Sequence, residues 1–172
     1  MVFIPFACLG TGLGWGSTYI VEELGLKTRV VRLAFSLMIS SGIGASILWG
    51  WGFDSVPSTM MKLWTITAFS SVLCYFGSVY GFFEAMSIFT VMFSTMTYTA
   101  TIVFFLSYLT HHNKDEEVSV VSAWMAIWFI AELVTFFCME MFRNSILGAI
   151  YLGIMCIISV FIAWTREWLC ET

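Results

Sequence analysis

Charge is what this sequence has least of. Only 10% of its 172 residues are charged, while 60% are hydrophobic. A soluble domain of this size carries about 25% charged and about 45–50% apolar residues. A water-soluble globule cannot hide that much apolar surface at this length. The shortage therefore excludes a soluble enzyme and a disordered segment. Seven basic residues against eleven acidic ones leave a net charge of −4, so there is no basic surface for nucleic acid. Paired cysteines are missing too. Cys8, Cys74, Cys138, Cys156 and Cys170 form no CxxC pair and no zinc knuckle. Cys74, Cys138 and Cys156 fall in apolar runs, where a free thiol acts as a small packing residue. The only histidines, His111 and His112, share one polar loop. Membrane haem needs histidines on facing helices, so a cytochrome is not expected. No third ligand joins His112 and Glu116 in helical register, so no metal site is expected either. No nucleophile–base pair can be assembled in polar surroundings, and the chain is expected to be a non-enzyme without cofactors.

What the chain does have is long apolar runs and a mean hydropathy of +0.93. Five runs, 30–51, 63–83, 87–109, 118–142 and 145–164, are each long enough to cross a hydrocarbon core of about 30 Å as a helix. They are continuous rather than alternating, which indicates helices and not barrel strands. The connections are short, with a turn signal at Asp54 and Pro57 and one strongly polar stretch, THHNKDEE. The expected fold is all-α, a polytopic membrane protein with five transmembrane helices over residues 27–172. The first 26 residues form a separate apolar segment. Pro5 and the alternating Gly10, Gly12, Gly14 and Gly16 argue there against a continuous spanning helix and for a re-entrant or interfacial piece. The same glycines lack the Lys-Ser/Thr of a phosphate loop. The segment also lacks the basic start of a secretory signal and the Arg and Ser richness of a transit peptide. With five spans, Lys27, Arg29, Arg32 and Arg143 share one side, and Lys62, Lys114 and Arg166 the other. That small bias places the N-terminus inside.

Glu132 lies near the middle of the fourth run. A carboxylate there must be protonated, paired or facing water, because an ionised and unpaired one costs several kcal/mol. It is either an ion site or a satisfied structural acid. Glu140, two turns on, is placed to meet Arg143 or headgroups. Small or hydroxyl residues recur at helical spacing in three runs: Ser41, Gly42, Ala45 and Ser46; Ser70, Cys74, Gly77 and Gly81; Thr90, Ser94, Thr97 and Thr101. Each set falls on one helix face, which suits close helix packing, with a water-lined path as the functional alternative.

The segments KTRVVRLAFSLMISSGIGAS, GSVYGFFEAMSIF, TMTYTATIVFFLSYLTHHNKDEEVS and YLGIMCIISVFIAWTREW, in that order over residues 27 to 168, resemble the Bax inhibitor family of multi-spanning membrane proteins. The resemblance implies a calcium or proton leak in the endoplasmic reticulum or mitochondrial inner membrane. It also implies an ion path through Glu132 and Glu140, with Glu84 standing near the acid that follows the hairpin glycines. The departures are specific. Thr165 falls where the family carries its signature Asp, and the helix that supplies the partner acid has no counterpart in these 172 residues. The chain is therefore expected to be a non-catalytic accessory subunit of a larger membrane assembly, of respiratory type in the mitochondrial inner membrane ahead of the endoplasmic reticulum. Its partners would be other membrane subunits and lipids, with no nucleic acid and no soluble substrate. A calcium or proton leak is the alternative.

Overall fold

The computed structural model describes residues 4–23, 27–80, 84–112, 117–142 and 145–165. They form six α-helices: α1 (Ile4–Glu23), α2 (Thr28–Ser55), α3 (Pro57–Val79), α4 (Glu84–His112), α5 (Glu117–Phe142) and α6 (Ser145–Thr165). The fold is all-α. Four helices are long and apolar enough to cross a membrane: α2, and within the others Ala85–Phe104, Val121–Cys138 and Ile146–Thr165. These fit an integral membrane protein. α3, expected as the second of five spans, is long enough, but Lys62 and its hydroxyl residues dilute its apolar character, and it falls outside that group.

The glycine-rich start departs most from expectation. It is not broken at its glycines, but forms one continuous helix of 20 residues. From Phe6 to Leu13 every residue is buried. α1 packs against α4, α5 and α6 and also touches α3. Each glycine in a helix costs about 0.5–1 kcal/mol relative to alanine. Close approach of neighbouring helices offsets that cost, because small residues admit large side chains right up to the backbone. Alternate residues on a helix point to nearly opposite sides, so alternating glycines serve a helix packed on two opposite faces, Gly10 and Gly14 toward Tyr98 and Gly12 and Gly16 toward Leu152. A Cβ on Gly12 would lie 2.8 Å from Leu152, and one on Gly16 would lie 2.8 Å from the Tyr75 ring.

Contacts fix the helix directions. Phe6 stacks near Trp64 and Gly16 lies at Tyr75, so α1 runs with α3. Trp64 bonds Thr101 while Ser78 meets Thr90, so α3 and α4 are antiparallel. Phe76 lies beside Gly153, and Met61 and Thr65 line a cleft with Ala163 and Trp164, so α3 and α6 are antiparallel too. α2 leans along α4. Ala34 and Val91 share one small core, Gly42 sits 3.3 Å from Thr95, and Trp49 Nε1 donates to the Met96 carbonyl at 3.1 Å.

The turn signal at Asp54 and Pro57 shrinks to one residue. Val56 alone separates α2 from α3, its N–H donating to the Gly52 carbonyl at 2.8 Å. Pro57 ends α2 because it has no N–H to donate, yet it starts α3 without strain, since the first turn of a helix needs no such donor. Gly52 is buried beneath Met60, and a side chain there would collide with the thioether.

Two neighbouring glycines should respond oppositely to alanine. Gly16→Ala forces a methyl into the buried Tyr75 ring and should destabilise the bundle by about 1–3 kcal/mol. Gly14→Ala meets only the Tyr98 ring at 4.0 Å and should be neutral or stabilising by up to about 1 kcal/mol. Thermal unfolding in detergent, followed by far-ultraviolet circular dichroism, checks both. Equal losses for the two variants would refute the packing assignment.

Candidate functional site

The described interior contains hydroxyls and no charge. Its buried polar residues are all Ser or Thr. The charged residues with described side chains, Lys27, Arg29, Arg32, Asp54, Lys62 and Glu132, are all exposed. The hydroxyl stripe of α4 lies at the centre of this interior. Thr90, Thr97 and Thr101 are fully buried, and Ser94 is nearly so. Thr90 and Thr101 donate one turn back, to the carbonyls of Met86 and Thr97, at 2.8 Å each. Thr90 also meets Ser78 of α3 at 3.1 Å, and Thr101 accepts from Trp64 at 3.2 Å. Ser94 and Thr97, with Ser159 of α6 and the indole N–H of Trp124, are buried without a hydrogen-bond partner.

The other expected stripes are placed less centrally. Gly42 and Ala45 face α4, and Ser41 Oγ donates to the Met38 carbonyl. On α3 the buried face is Trp64, Thr67, Ala68, Ser71, Tyr75 and Ser78. Ser70, Cys74 and Gly77 run along its half-buried edge, where Gly77 sits 3.5 Å from Met86. Gly81 lies outside the described residues.

One polar node was not foreseen. Thr11 of α1, Thr135 of α5 and Tyr151 of α6 form a chain, with Thr11 Oγ1 2.9 Å from Thr135 Oγ1 and Thr135 Oγ1 3.1 Å from the Tyr151 hydroxyl. Thr11 also reaches the Ala7 carbonyl at 2.9 Å. Each hydroxyl has one proton. A single direction therefore satisfies all three: Tyr151 donates to Thr135, Thr135 to Thr11, and Thr11 to Ala7. No described carboxylate or histidine joins this chain, so its chemistry is to tie three helices together. A partial signal was present in α5, where Trp128, Ala131 and Thr135 share a face at helical spacing. The partners in α1 and α6 leave no mark at this distance along the chain.

Glu132 is on the outside. It lies one position round from the buried Ala131 and is exposed. Its Oε1 accepts from Trp128 Nε1 at 3.3 Å. Trp128 is itself fixed by stacking on Trp124 and by an edge contact with Tyr98 at 5.2 Å. The structure does not bring Glu132 into the bundle interior. Glu84 opens α4 and Glu140 lies in the last turn of α5; the side chains of both, like those of His111 and His112, lie outside the described residues. No group of three or more His, Cys, Asp or Glu among the described residues could hold a metal ion.

No family model matches the chain, and neither does any curated protein or solved structure.

Thr135→Val removes the middle of the three-hydroxyl chain and leaves the Tyr151 proton and a Thr11 lone pair without partners. The expected loss is about 0.5–2 kcal/mol. Tyr151→Phe should cost less, and the double variant less than the sum, because one network is lost only once. Additive losses in detergent unfolding would show that the three groups are not coupled.

Proposed function

We propose that this chain is a non-catalytic accessory subunit of a larger membrane assembly. One observation carries the reading. The described interior holds hydroxyls and no charge, while the carboxylate near mid-span stands on the outer surface among apolar side chains. A leak of the Bax inhibitor type needs an ionisable group along an interior path, and the outward position of Glu132 favours the subunit instead. In this reading α3 crosses the bilayer beside the four more apolar helices, and α1 crosses in their midst. Its backbone is then satisfied within the helix, and residues 6–13 are covered by protein. The setting in this reading is the mitochondrial inner membrane ahead of the endoplasmic reticulum, with other membrane subunits and lipids as partners.

Two measurements test the proposal. In a native gel of membranes solubilised in mild detergent, the chain should migrate with a large complex. Migration as a free monomer would overturn the reading. Purified chain in liposomes should carry no calcium or proton flux above empty vesicles, and Glu132→Gln should change nothing. A pH-dependent flux that Glu132→Gln abolishes would instead establish the leak.

A further inference from the structure

The six charged side chains described fall into two groups. Lys27, Arg29, Arg32, Asp54 and Lys62 lie at or near helix ends. α2 is about 42 Å long at 1.5 Å per residue, longer than the hydrocarbon core of about 30 Å. Arg32, in its second turn, can therefore stand at the interface. Glu132 cannot. It lies within about 4 Å of the middle of α5, and its short stem cannot span the roughly 11 Å to the nearer headgroup layer.

Around it the outer face of α5 is exposed among the described residues, with Trp15 of α1 reaching only its edge at Phe136. Phe129 is 64% exposed and Leu133 58%, and Met125, Phe136 and Phe137 are exposed as well. Hydrocarbon satisfies those side chains but not a carboxylate. Trp128 occupies one carboxylate oxygen at the long distance of 3.3 Å. No other described group bonds the acid.

We infer that this face of α5 is a docking surface for a transmembrane helix of a different protein, one that brings a lysine or arginine to the depth of Glu132. The inference rests on the accessory-subunit reading and names the chemistry of its partner. Charge complementarity selects the occupant. A second copy of this chain cannot supply the cation, because the described basic residues cluster near helix ends, and Lys114, Arg143 and Arg166 fall in sequence between or after the helices. A basic side chain that pairs with Glu132 removes two buried charges at once, the common condition for ionisable groups inside membranes. Trp128, seated against Gly10 and Tyr98, holds the acid in place, so little ordering is lost on pairing.

The test uses the full chain in its native membrane, with a photoreactive residue at Leu133 and, as a control, at Ile47, which is 70% exposed on α2. The expected result is an adduct at Leu133 with one partner, whose cross-linked peptide, sequenced by mass spectrometry, carries a Lys or Arg inside an apolar span. Glu132→Gln should lower the yield about tenfold or more, while Glu132→Asp retains part of it. Far-ultraviolet circular dichroism should stay unchanged in both. An adduct with a second copy, with lipid alone, or with a span that lacks a basic residue would overturn the inference. Co-migration with a large complex that survives Glu132→Gln, together with adducts at Ile47 only, would leave the subunit reading standing and refute the docking face. Migration of the parent chain alone would refute both.

Discussion

The bundle depends on how closely side chains can approach the backbone of α1. That helix packs against α3, α4, α5 and α6, and its glycines leave the space that the rings of Tyr75, Tyr98 and Trp128 and the side chain of Leu152 fill. Take that space away and α3, α4, α5 and α6 lose their common surface. Association inside a membrane gains little from the hydrophobic effect, because lipid is as apolar as the helices. Dispersion contacts at short range must carry it, and these fall off within about 1 Å of added separation. The helix weakest in intrinsic propensity is therefore the one that can stand at the centre.

Polar groups add direction to this packing. The hydroxyls of α4 turn inward and bond mostly to their own helix. Crosslinks at Ser78 to Thr90 and Trp64 to Thr101 fix how α3 slides against α4. The Thr11, Thr135 and Tyr151 chain does the same for α1, α5 and α6. A few such links set register at modest energy, since each is worth about 0.5–1.5 kcal/mol. Glu132 follows the opposite logic, remaining outside with a tryptophan as its hydrogen-bond donor.

The helices were legible because a continuous apolar run has one solution in lipid. The hydroxyl stripe of α4 was legible for a similar reason: Thr90, Ser94, Thr97 and Thr101 recur at the helical period, and periodicity reports a face. It does not say which side of a stripe is deeper, and on α3 the buried face lies next to Ser70, Cys74 and Gly77 rather than along them. α1 was misjudged because propensity is a local quantity and burial is not. Gly12 and Gly16 weaken the helix in isolation but seat Leu152 and Tyr75 in the fold. The outward position of Glu132 was within reach, since Trp128, Ala131 and Thr135 define the inner face of α5. Its depth drew attention ahead of its azimuth.

The central position of α1 has a consequence for biogenesis. Thr11 precedes its partner Thr135 by 124 residues. At about 5–20 residues per second, the ribosome needs roughly 6–25 s to make the intervening chain. Throughout that interval α1 lacks α6 and the Thr135 turn of α5, and α4 is complete only near its end. Its glycine notches and its Thr11 and Ser17 hydroxyls face whatever surrounds the nascent chain. Its enclosure is complete only once α5 and α6 stand beside it. The order of synthesis and the order of enclosure thus differ: α1 is made before the helices that pack against it.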